Sequence, residues 1–200
     1  MAGPHVRPRP SGSRPFDAGR DGFVLGEGAA VVVLEREGFA AARGARAHAT
    51  LAGAATTSDA HHITGADAGG QVRAMRLALA SAGLQALDVG HVNAHATSTP
   101  TGDLTETRSI IEALGTHPAL TATKSMTGHL CGAAGAVGAI AAILALRDGV
   151  IPATRNLQEL DPRVKLDIVT GRPRHGRWAA AMTNSFGFGG HNAPLAFTAP

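Results

Sequence analysis

Residues 89–114 read VGHVNAHATSTPTGDLTETRSIIEAL, and this stretch decides the fold class of the chain. The apolar run Val89–Ala94 predicts a short buried strand, and the polar run His95–Gly102 predicts a loop after it. Asp103 and Glu106 form a pattern similar to a capping box, which predicts a helix over Leu104–Leu114. A strand, a polar loop and a helix in this order are the repeating unit of α/β proteins.

The alternation of strands and helices continues on both sides of this stretch. Val72, Met75, Leu79 and Ala82 recur at helical spacing, and Gly83 stands where a glycine ends such a helix. The three consecutive valines at positions 31–33 predict that the strand containing them is buried on both faces. A short helix is predicted at Glu37–Gly44, and further strands at Phe23–Leu34, Ala47–Thr57, Leu120–Thr123, Leu166–Val169, Ala179–Thr183 and Ala193–Thr198.

The most apolar segment is Leu130–Leu146, which carries no charged residue. It is short for a membrane span, and Gly132, Gly135 and Gly138 favour close packing against other parts of a protein. We therefore predict a buried helix over Leu130–Arg147 and no membrane segment.

The composition excludes several classes of protein. Hydrophobic residues make up 44% of the 200 residues, which is enough for a sizeable core and excludes a disordered chain. The single cysteine cannot form an internal disulfide, so a disulfide-rich secreted domain is excluded and a cytoplasmic location is expected. The 16 arginines are scattered and are not interleaved with aromatic residues, so we expect no nucleic-acid partner.

A metal site is an alternative role for the histidines. The candidate ligands are His61, His62, His95 and His129 with Asp59. Neither an HExxH nor a CxxC motif occurs, and adjacent histidines in an extended segment point to opposite sides. We therefore expect no metal ion.

Three polar segments each follow a predicted strand, where the functional sites of α/β sheets usually lie. They are residues 93–103, 124–129 and 184–190, with the sequences NAHATSTPTGD, KSMTGH and NSFGFGG. The hydroxyl groups of the first segment can bind a polar ligand arm, although a solvated turn explains them equally well. The third segment suggests a mobile apolar gate, or alternatively a tight turn anchored by two phenylalanines.

The second segment contains a histidine and a lysine of interest. His129 stands at the start of the apolar helix, where the helix dipole lowers the pKa of an imidazole. A neutral imidazole can donate an N–H hydrogen bond to an oxyanion. Lys124 is one of two lysines in an arginine-rich chain, which suggests a need for a compact ammonium group. A helix-capping histidine and a surface lysine remain the alternatives.

In this order, the three segments resemble the β-ketoacyl-acyl-carrier-protein synthases of the thiolase superfamily, most closely the synthase II type. The similarity includes RPFDAGRDGFVLGEG at residues 14–28, TSDAHH at 57–62 and RDGVIPATRN at 147–156. It extends from Arg14 to Phe197, which is nearly the whole chain.

The resemblance implies a thiolase-like α/β fold with α-β-α-β-α layers. Because the matching enzymes are much longer, it implies the end of an N-terminal half at 14–56 and a C-terminal half at 57–200. Residues 1–13 are rich in proline, arginine and glycine without a hydrophobic period, so they predict a disordered lead-in. It also implies decarboxylative Claisen condensation in fatty acid or polyketide biosynthesis, without a cofactor. The expected partners are an acyl carrier protein, whose phosphopantetheine carries acyl or malonyl groups, and a second copy in a full-length homodimer.

The resemblance assigns roles to individual residues. His95 and His129 would donate N–H hydrogen bonds to the malonyl thioester oxygen, and Lys124 would join a charge network with Asp103 and Glu106. Phe188 would be the gating residue, and its backbone N–H would form half of an oxyanion hole. The expected contacts of the phosphopantetheine arm and substrate are Thr97, Thr99, Thr64, Gly187 and Gly189.

Three positions depart from the family pattern. Ala96 replaces a common glycine, which adds one methyl group. Gly138 replaces a glutamate near Lys124, and we expect Gly138→Glu to fit without a clash in a full-length context. Cys131 matches an apolar core position, so we predict that it packs as a small hydrophobic residue and that the chain contains no nucleophile.

These departures leave three interpretations. The first is a synthase half that has decarboxylation and oxyanion groups and is inactive alone. The second is a non-catalytic subunit that binds acyl chains or the carrier protein, although a scaffold would not need His95, His129 and Lys124. The third is a truncated reading frame without a function of its own. In the first case we expect the chain alone to expose an apolar face.

Overall fold

The computed structural model describes residues 12–200. The lead-in predicted at residues 1–13 lies outside this range except for its last two residues. Ser13 is buried, and its hydroxyl donates a hydrogen bond to the backbone carbonyl of Lys124 at 2.7 Å. This residue is therefore anchored beside one of the candidate site residues.

Helices and strands alternate along the described residues, as predicted. The α-helices are α1 (Glu37–Ala42), α2 (Ala68–Ala82), α3 (Pro100–Ala113), α4 (Lys124–Thr127) and α5 (Ala134–Asp148), with 3₁₀ turns at Ala86–Asp88 and Cys131–Ala133. The strands are β1 (Thr50–Ala54), β2 (Thr57–Ser58), β3 (Val89–Asn93), β4 (Ala119–Thr121), β5 (Val150–Ile151), β6 (Asp167–Ile168), β7 (Arg174–His175), β8 (Ala180–Thr183), β9 (Phe186–Gly187), β10 (His191–Asn192) and β11 (Leu195–Thr198).

Helix α2 has the predicted buried face and the predicted end. Val72, Met75 and Leu79 are buried in the main apolar cluster. Gly83 ends the helix with a φ of 66°, and its N–H donates to the carbonyl of Ala80. The left-handed conformation explains why a glycine stands there.

The main sheet has six strands in the order β1-β11-β8-β3-β4-β6. Strands β8, β3, β4 and β6 run parallel, whereas β11 is antiparallel to β8 and β1 to β11. Parallel strands end at the same edge of a sheet, so the loops after β3, β4 and β8 lie side by side. Two smaller sheets contain β2-β10-β9 and β5-β7.

Helices cover both faces of the main sheet. Ala181 and Met182 are consecutive in β8 and belong to separate apolar clusters, because side chains alternate between the two faces of a strand. Met182 belongs to the cluster that contains residues of α2 and α3. Ala181 packs in the cluster that contains Ala142 of α5 and Phe197 of β11. The architecture is therefore layered α/β, as predicted.

The prediction of a buried strand at Phe23–Leu34 is wrong for this structure. Within this segment only Leu25 forms a β-bridge, which pairs it with His129. Val31 is 86% exposed and Val33 is 79% exposed. A fully buried strand needs strands beside it and layers on both faces, and residues 12–200 supply neither around these valines. The expected exposed apolar surface is therefore present.

The predicted buried helix at Leu130–Arg147 is wrong in its start and in its burial. A 3₁₀ turn at Cys131–Ala133 precedes α5, and the buried residues of α5 are Gly138, Ala139, Ala142, Ala145 and Leu146. The stretch Cys131–Asp148 is long and apolar enough to cross a membrane by length and composition alone, and 22% of it is buried. Core helices of soluble proteins meet the same criterion, so this finding alone assigns no membrane role.

Helix α3 begins earlier than predicted, and Asp103 does not cap it. Thr99 is the N-cap residue and Pro100 the first helical residue, a position that the fixed φ of proline favours. Asp103 and Glu106 therefore lie inside the helix, where their side chains can reach the preceding loop.

His91 of β3 gives a pH-dependent contribution to folding. Its Nδ1 donates to the carbonyl of Ala119 at 2.9 Å, and its buried Nε2 has no hydrogen-bond partner among the residues described. Burial lowers the pKa of His91 from 6.5 to about 4. The unfolded chain binds this proton at a higher pH than the native chain, so the stabilising contribution is lost as the pH falls from 6.5 to 4.

We therefore expect wild type to lose about 3 kcal/mol of unfolding free energy relative to His91→Gln between pH 7 and pH 4. Urea unfolding followed by circular dichroism at each pH measures the difference, in which the other titrating groups cancel. Parallel pH curves for the two proteins would contradict this account of His91.

Candidate active site

The loops after β3, β4 and β8 meet at one edge of the sheet. They carry His95, then Lys124 and His129, and then Phe186. The ring centroids of His95 and His129 are 5.6 Å apart, and that of Phe186 is 6.0 Å from His95. The three segments chosen from the sequence therefore form a single site.

Two phenylalanine rings flank the two histidine rings. Phe23 packs edge-on against His129 at 5.8 Å, and Phe186 packs edge-on against His95. Apolar neighbours disfavour a charged imidazole. Neither contact was predicted: the repeated Phe-Gly of NSFGFGG does not distinguish Phe186 from Phe188, and Phe23 was assigned to a buried strand. Phe188, the predicted gate, is 70% exposed.

The hydrogen bonding of His129 defines its tautomer. Its Nδ1 accepts the backbone N–H of Cys131 at 3.1 Å, so the neutral ring carries its proton on Nε2. Burial lowers the pKa of His129, and the ammonium of Lys124 lowers it further. His129 precedes the 3₁₀ turn and does not begin α5. Burial, and not the predicted helix dipole, is therefore the main cause of its lowered pKa.

His95 is neutral for a similar reason. Burial lowers its pKa well below the usual 6.5, and the nearby charges of Lys124 and His129 lower it further. Its Nδ1 is buried and has no hydrogen-bond partner within residues 12–200. The site therefore holds two neutral imidazoles in contact, each able to donate one N–H hydrogen bond.

Glu106 of α3 holds the backbone of the His95 loop. Its two oxygens accept the N–H groups of His95 at 2.8 Å and of Ala96 at 2.7 Å. Asn184 donates to the same carboxylate at 3.1 Å from the start of the glycine-rich segment. Ala96 has a φ of 26°, which L-residues rarely adopt, and the bonded carboxylate stabilises it there. Asn184 begins the glycine-rich segment quoted above, but its bond to Glu106 was not predicted from the sequence.

Asp103 holds the second part of the same loop. It is fully buried and accepts the N–H groups of Ser98 at 3.1 Å and of Phe16 at 2.9 Å. Ser98 is buried with a φ of 71°. Thr97 and Thr99 flank it, and their hydroxyl oxygens lie 3.1 Å apart in a hydrogen bond.

Lys124, Asp103 and Glu106 are buried and interact electrostatically. Burial lowers the pKa of Lys124 to about 8, although the two carboxylates act in the opposite direction. Burial raises the pKa of Asp103 to about 7, while backbone donors and Arg20 oppose the increase. Burial also raises the pKa of Glu106. Lys124 and Glu106 therefore favour each other's charge, whereas Glu106 opposes the charge of Asp103 and Arg20 favours it.

The other candidate substrate contacts lie around the glycine-rich segment. Thr64 is exposed in the loop before α2, and the carbonyl of its neighbour Ile63 accepts the N–H of Gly189 at 2.7 Å. Gly189 has a φ of 79°, and Gly187 pairs with His191 between β9 and β10. Thr64 is thereby placed beside the segment that contains Phe188.

The predicted fit of Gly138→Glu is wrong. A Cβ atom at this position would lie 2.8 Å from Nδ2 of Asn93 and 2.9 Å from Oγ1 of Thr183. Asn93 donates to Thr183 at 3.2 Å and accepts from Thr123 at 3.1 Å, so its side chain is fixed on both sides. A glutamate would have to displace this buried polar network.

The predicted burial of Cys131 is also wrong. Its side chain is exposed, and its backbone has a φ of 49°. The 3₁₀ turn leaves Cys131 outside α5, whereas an α-helix beginning at Leu130 would have placed it on a helix face.

The alternative of a metal site gains no support from the geometry. His61 and His62 are exposed in the loop before α2. In the part of the chain that the structure describes, no three His, Cys, Asp or Glu side chains lie close enough to hold a metal ion.

Replacing Lys124 by methionine should raise the pKa of both His95 and His129, because the ammonium group opposes a second positive charge nearby. NMR titration of the histidine ring nitrogens measures this change. His91 is the internal control, since its pKa depends on burial and on Ala119 and not on Lys124. An unchanged pKa of His129 in Lys124→Met would contradict the electrostatic coupling.

Comparison with known proteins gives a consistent assignment. Residues 48–158 match the family model described as beta-ketoacyl synthase, C-terminal domain, and residues 2–40 match the one described as beta-ketoacyl synthase, N-terminal domain. The 3-oxoacyl-[acyl-carrier-protein] synthase 2 of Mycobacterium bovis is 52% identical over 94% of this chain and 46% of its own length. That of Synechocystis is 48% identical over 92% of this chain and 46% of its own length.

Solved structures agree on the fold. The ishigamide ketosynthase/chain length factor superposes on all of this chain and 48% of its own with a TM-score of 0.92 and 40% identity. A beta-ketoacyl synthase from Burkholderia phymatum superposes on 98% of this chain and 47% of its own, with a TM-score of 0.91 and 41% identity. The thiolase-like layered fold is thus confirmed, and the chain spans about half the length of the curated relatives it matches. By sequence, fold and site, the chain belongs to the beta-ketoacyl synthase family.

Proposed function

We propose that this chain supplies the decarboxylation and oxyanion-binding half of a 3-oxoacyl-acyl-carrier-protein synthase, an acyltransferase of fatty acid or polyketide biosynthesis. The observation that carries the proposal is the pair of neutral histidines, His95 and His129, with ring centroids 5.6 Å apart at the edge of a parallel sheet. Donors already fixed in a buried site need little rearrangement when negative charge develops.

The reaction places its negative charge where these donors would act. Decarboxylation breaks the bond between the malonyl carboxylate and its α-carbon, and the electron pair forms a thioester enolate as carbon dioxide leaves. The Nε2–H of His129 and one N–H of His95 would donate to the enolate oxygen. The α-carbon then attacks an acyl thioester, and the thiolate leaves. Neutral imidazoles suit this step because they donate hydrogen bonds without transferring a proton, and no cofactor is required.

The phosphopantetheine arm of the carrier protein would bind beside the hydroxyl groups of Thr97 and Thr99. Thr97 and Thr99 form a linked hydroxyl pair that can bind the polar groups of phosphopantetheine. Thr64, Gly187 and Gly189 would line the adjacent wall, and Phe188 would close over the acyl group. A relative in this fold, described as a type II PKS acyl-carrier protein in complex with its ketosynthase, superposes with a TM-score of 0.93 and 31% identity. We therefore propose an acyl carrier protein as partner, a homodimeric whole enzyme and a cytoplasmic location.

We propose that the nucleophilic cysteine is not Cys131. The side chain of Cys131 is exposed. The Nδ1 atom of the neighbouring His129 accepts the backbone N–H of Cys131 and so is not available as a base for the thiol. The exposed valines of segment 29–34 support docking of a further protein half, which would supply the nucleophile.

A second candidate is a non-catalytic subunit that binds the carrier protein. The absence of a thiol inside the site favours it, whereas the buried and electrostatically coupled Lys124 and histidines favour the catalytic role.

The decisive experiment is reconstitution with the complementary half of a relative. The chain is co-expressed with the part of the Mycobacterium bovis enzyme that it does not match, and 3-oxoacyl product is measured from acyl- and malonyl-carrier protein. We expect product from the assembly, a loss of about 10²-fold or more in His129→Ala, and none from the chain alone.

Cys131→Ala is the matched control and should leave the rate unchanged. Loss of product in Cys131→Ala would contradict the account of the nucleophile. Binding of carrier protein without any condensation, unaffected by His95→Ala and His129→Ala, would instead favour the non-catalytic subunit.

A further inference from the structure

The segment Arg14–Gly22 has no part in the proposed chemistry, yet it crosses the outer side of the His95 loop. One of its residues, Arg20, is buried, with 2% of its side chain exposed. Two carboxylates surround the guanidinium, with Asp161 at 2.8 Å and Asp103 at 3.5 Å. Burial of a guanidinium costs free energy, which close carboxylates and hydrogen-bond acceptors offset.

All three nitrogens of Arg20 are bonded to the protein. Nη1 donates to the Asp17 carbonyl at 2.8 Å and to the Asp161 carboxylate. Nη2 donates to the Pro100 carbonyl at 2.9 Å, and Nε donates to the Thr99 carbonyl at 3.3 Å. The guanidinium is therefore engaged with backbone and carboxylate and is not presented to a ligand.

The two bonded carbonyls lie where the loop becomes helix α3. Thr99 is the N-cap residue, but its side chain makes no capping bond, and its hydroxyl pairs with Thr97 instead. Arg20 thus fixes the backbone of Thr99 while the hydroxyl remains turned towards Thr97. A lysine could not do the same, because one ammonium group lacks the planar fork that reaches two carbonyls and a carboxylate.

The same segment also holds Ser98. The N–H of Arg14 donates to Ser98 Oγ at 3.0 Å, and the N–H of Gly22 donates to the Ser98 carbonyl at 3.0 Å. Arg20 lies between these two donors in the chain. The hydroxyl-bearing part of the loop is therefore fixed by residues 14–22, whereas the backbone N–H of its histidine is bonded separately to Glu106, which also accepts from Asn184.

We infer that Arg20 is a positioning residue for the Thr97–Thr99 hydroxyl pair and so controls binding of the phosphopantetheine arm without controlling the chemical step. This inference rests on the proposed function. Because His95 has its own support, loss of Arg20 should affect the KM for malonyl-carrier protein and spare kcat.

The test uses the reconstituted assembly with Arg20→Gln. We expect KM for malonyl-carrier protein to rise about tenfold while kcat stays within about twofold of wild type. Arg20→Lys keeps the charge towards Asp161 and should recover only part of the loss. A merely structural role would lower the amount of active enzyme and hence the apparent kcat, with KM unchanged.

Arg163→Gln is the matched control. Arg163 also pairs with Asp161, at 2.7 Å, but its side chain is 66% exposed and, among the described residues, it donates no hydrogen bond to Thr99 or Pro100. We expect its KM and kcat to equal those of wild type.

Three results would overturn the role of Arg20. The first is an effect of Arg163→Gln equal to that of Arg20→Gln, and the second is a fall in kcat with unchanged KM in Arg20→Gln. The third is wild-type kinetics in Arg20→Lys. The Arg20→Lys variant decides the case if Arg20→Gln does not fold. A wild-type assembly without 3-oxoacyl product would overturn the proposed function itself, whereas an active wild type with any of these three results would overturn only this inference.

Discussion

The site depends on two buried carboxylates, Asp103 and Glu106, that lie three positions apart near the start of α3. A carboxylate removed from water must be hydrogen-bonded, and three donors to these two are backbone N–H groups of the loop that precedes the helix, beside those of Phe16 and Asn184. Satisfying both carboxylates requires Ala96 and Ser98 to take positive φ angles. The same backbone path sends His95 towards His129 and brings the hydroxyls of Thr97 and Thr99 together.

Burial has opposite consequences for the acids and bases of this site. It raises the pKa of the two carboxylates and lowers that of Lys124; Lys124 and Glu106 favour each other's charge, and Arg20 favours that of Asp103. The histidines have no carboxylate among the causes of their pKa shifts, and the positive charge of Lys124 adds to burial in keeping them neutral. Neutral N–H donors beside a fixed positive charge suit stabilisation of an enolate oxygen.

Local patterns predicted the elements that depend on local interactions. The face of α2, its end at Gly83 and strand β3 follow from side-chain spacing and from the conformational freedom of one glycine. The meeting of three polar loops was predictable as well, since parallel strands end at one edge. The segment Phe23–Leu34 was mispredicted, because burial of an apolar strand requires neighbours that residues 12–200 do not supply. Cys131 and Gly138 were mispredicted because the start of α5 and the packing of Asn93 depend on tertiary contacts.

The sequence by itself determined which chemical groups are present, the family they resemble and the strand-loop-helix order that brings them to one edge of a sheet. Only the tertiary structure decided what the acidic residues bond to. Asp103 accepts from Phe16, 87 positions away, and Asn184 donates to Glu106 across 78 positions. The capping pattern around Asp103 describes a bond within one turn, so it could not reveal these partners. It was also the tertiary structure that placed Phe186 instead of Phe188 beside His95 and enclosed Arg20, because burial is a property of the whole packed chain.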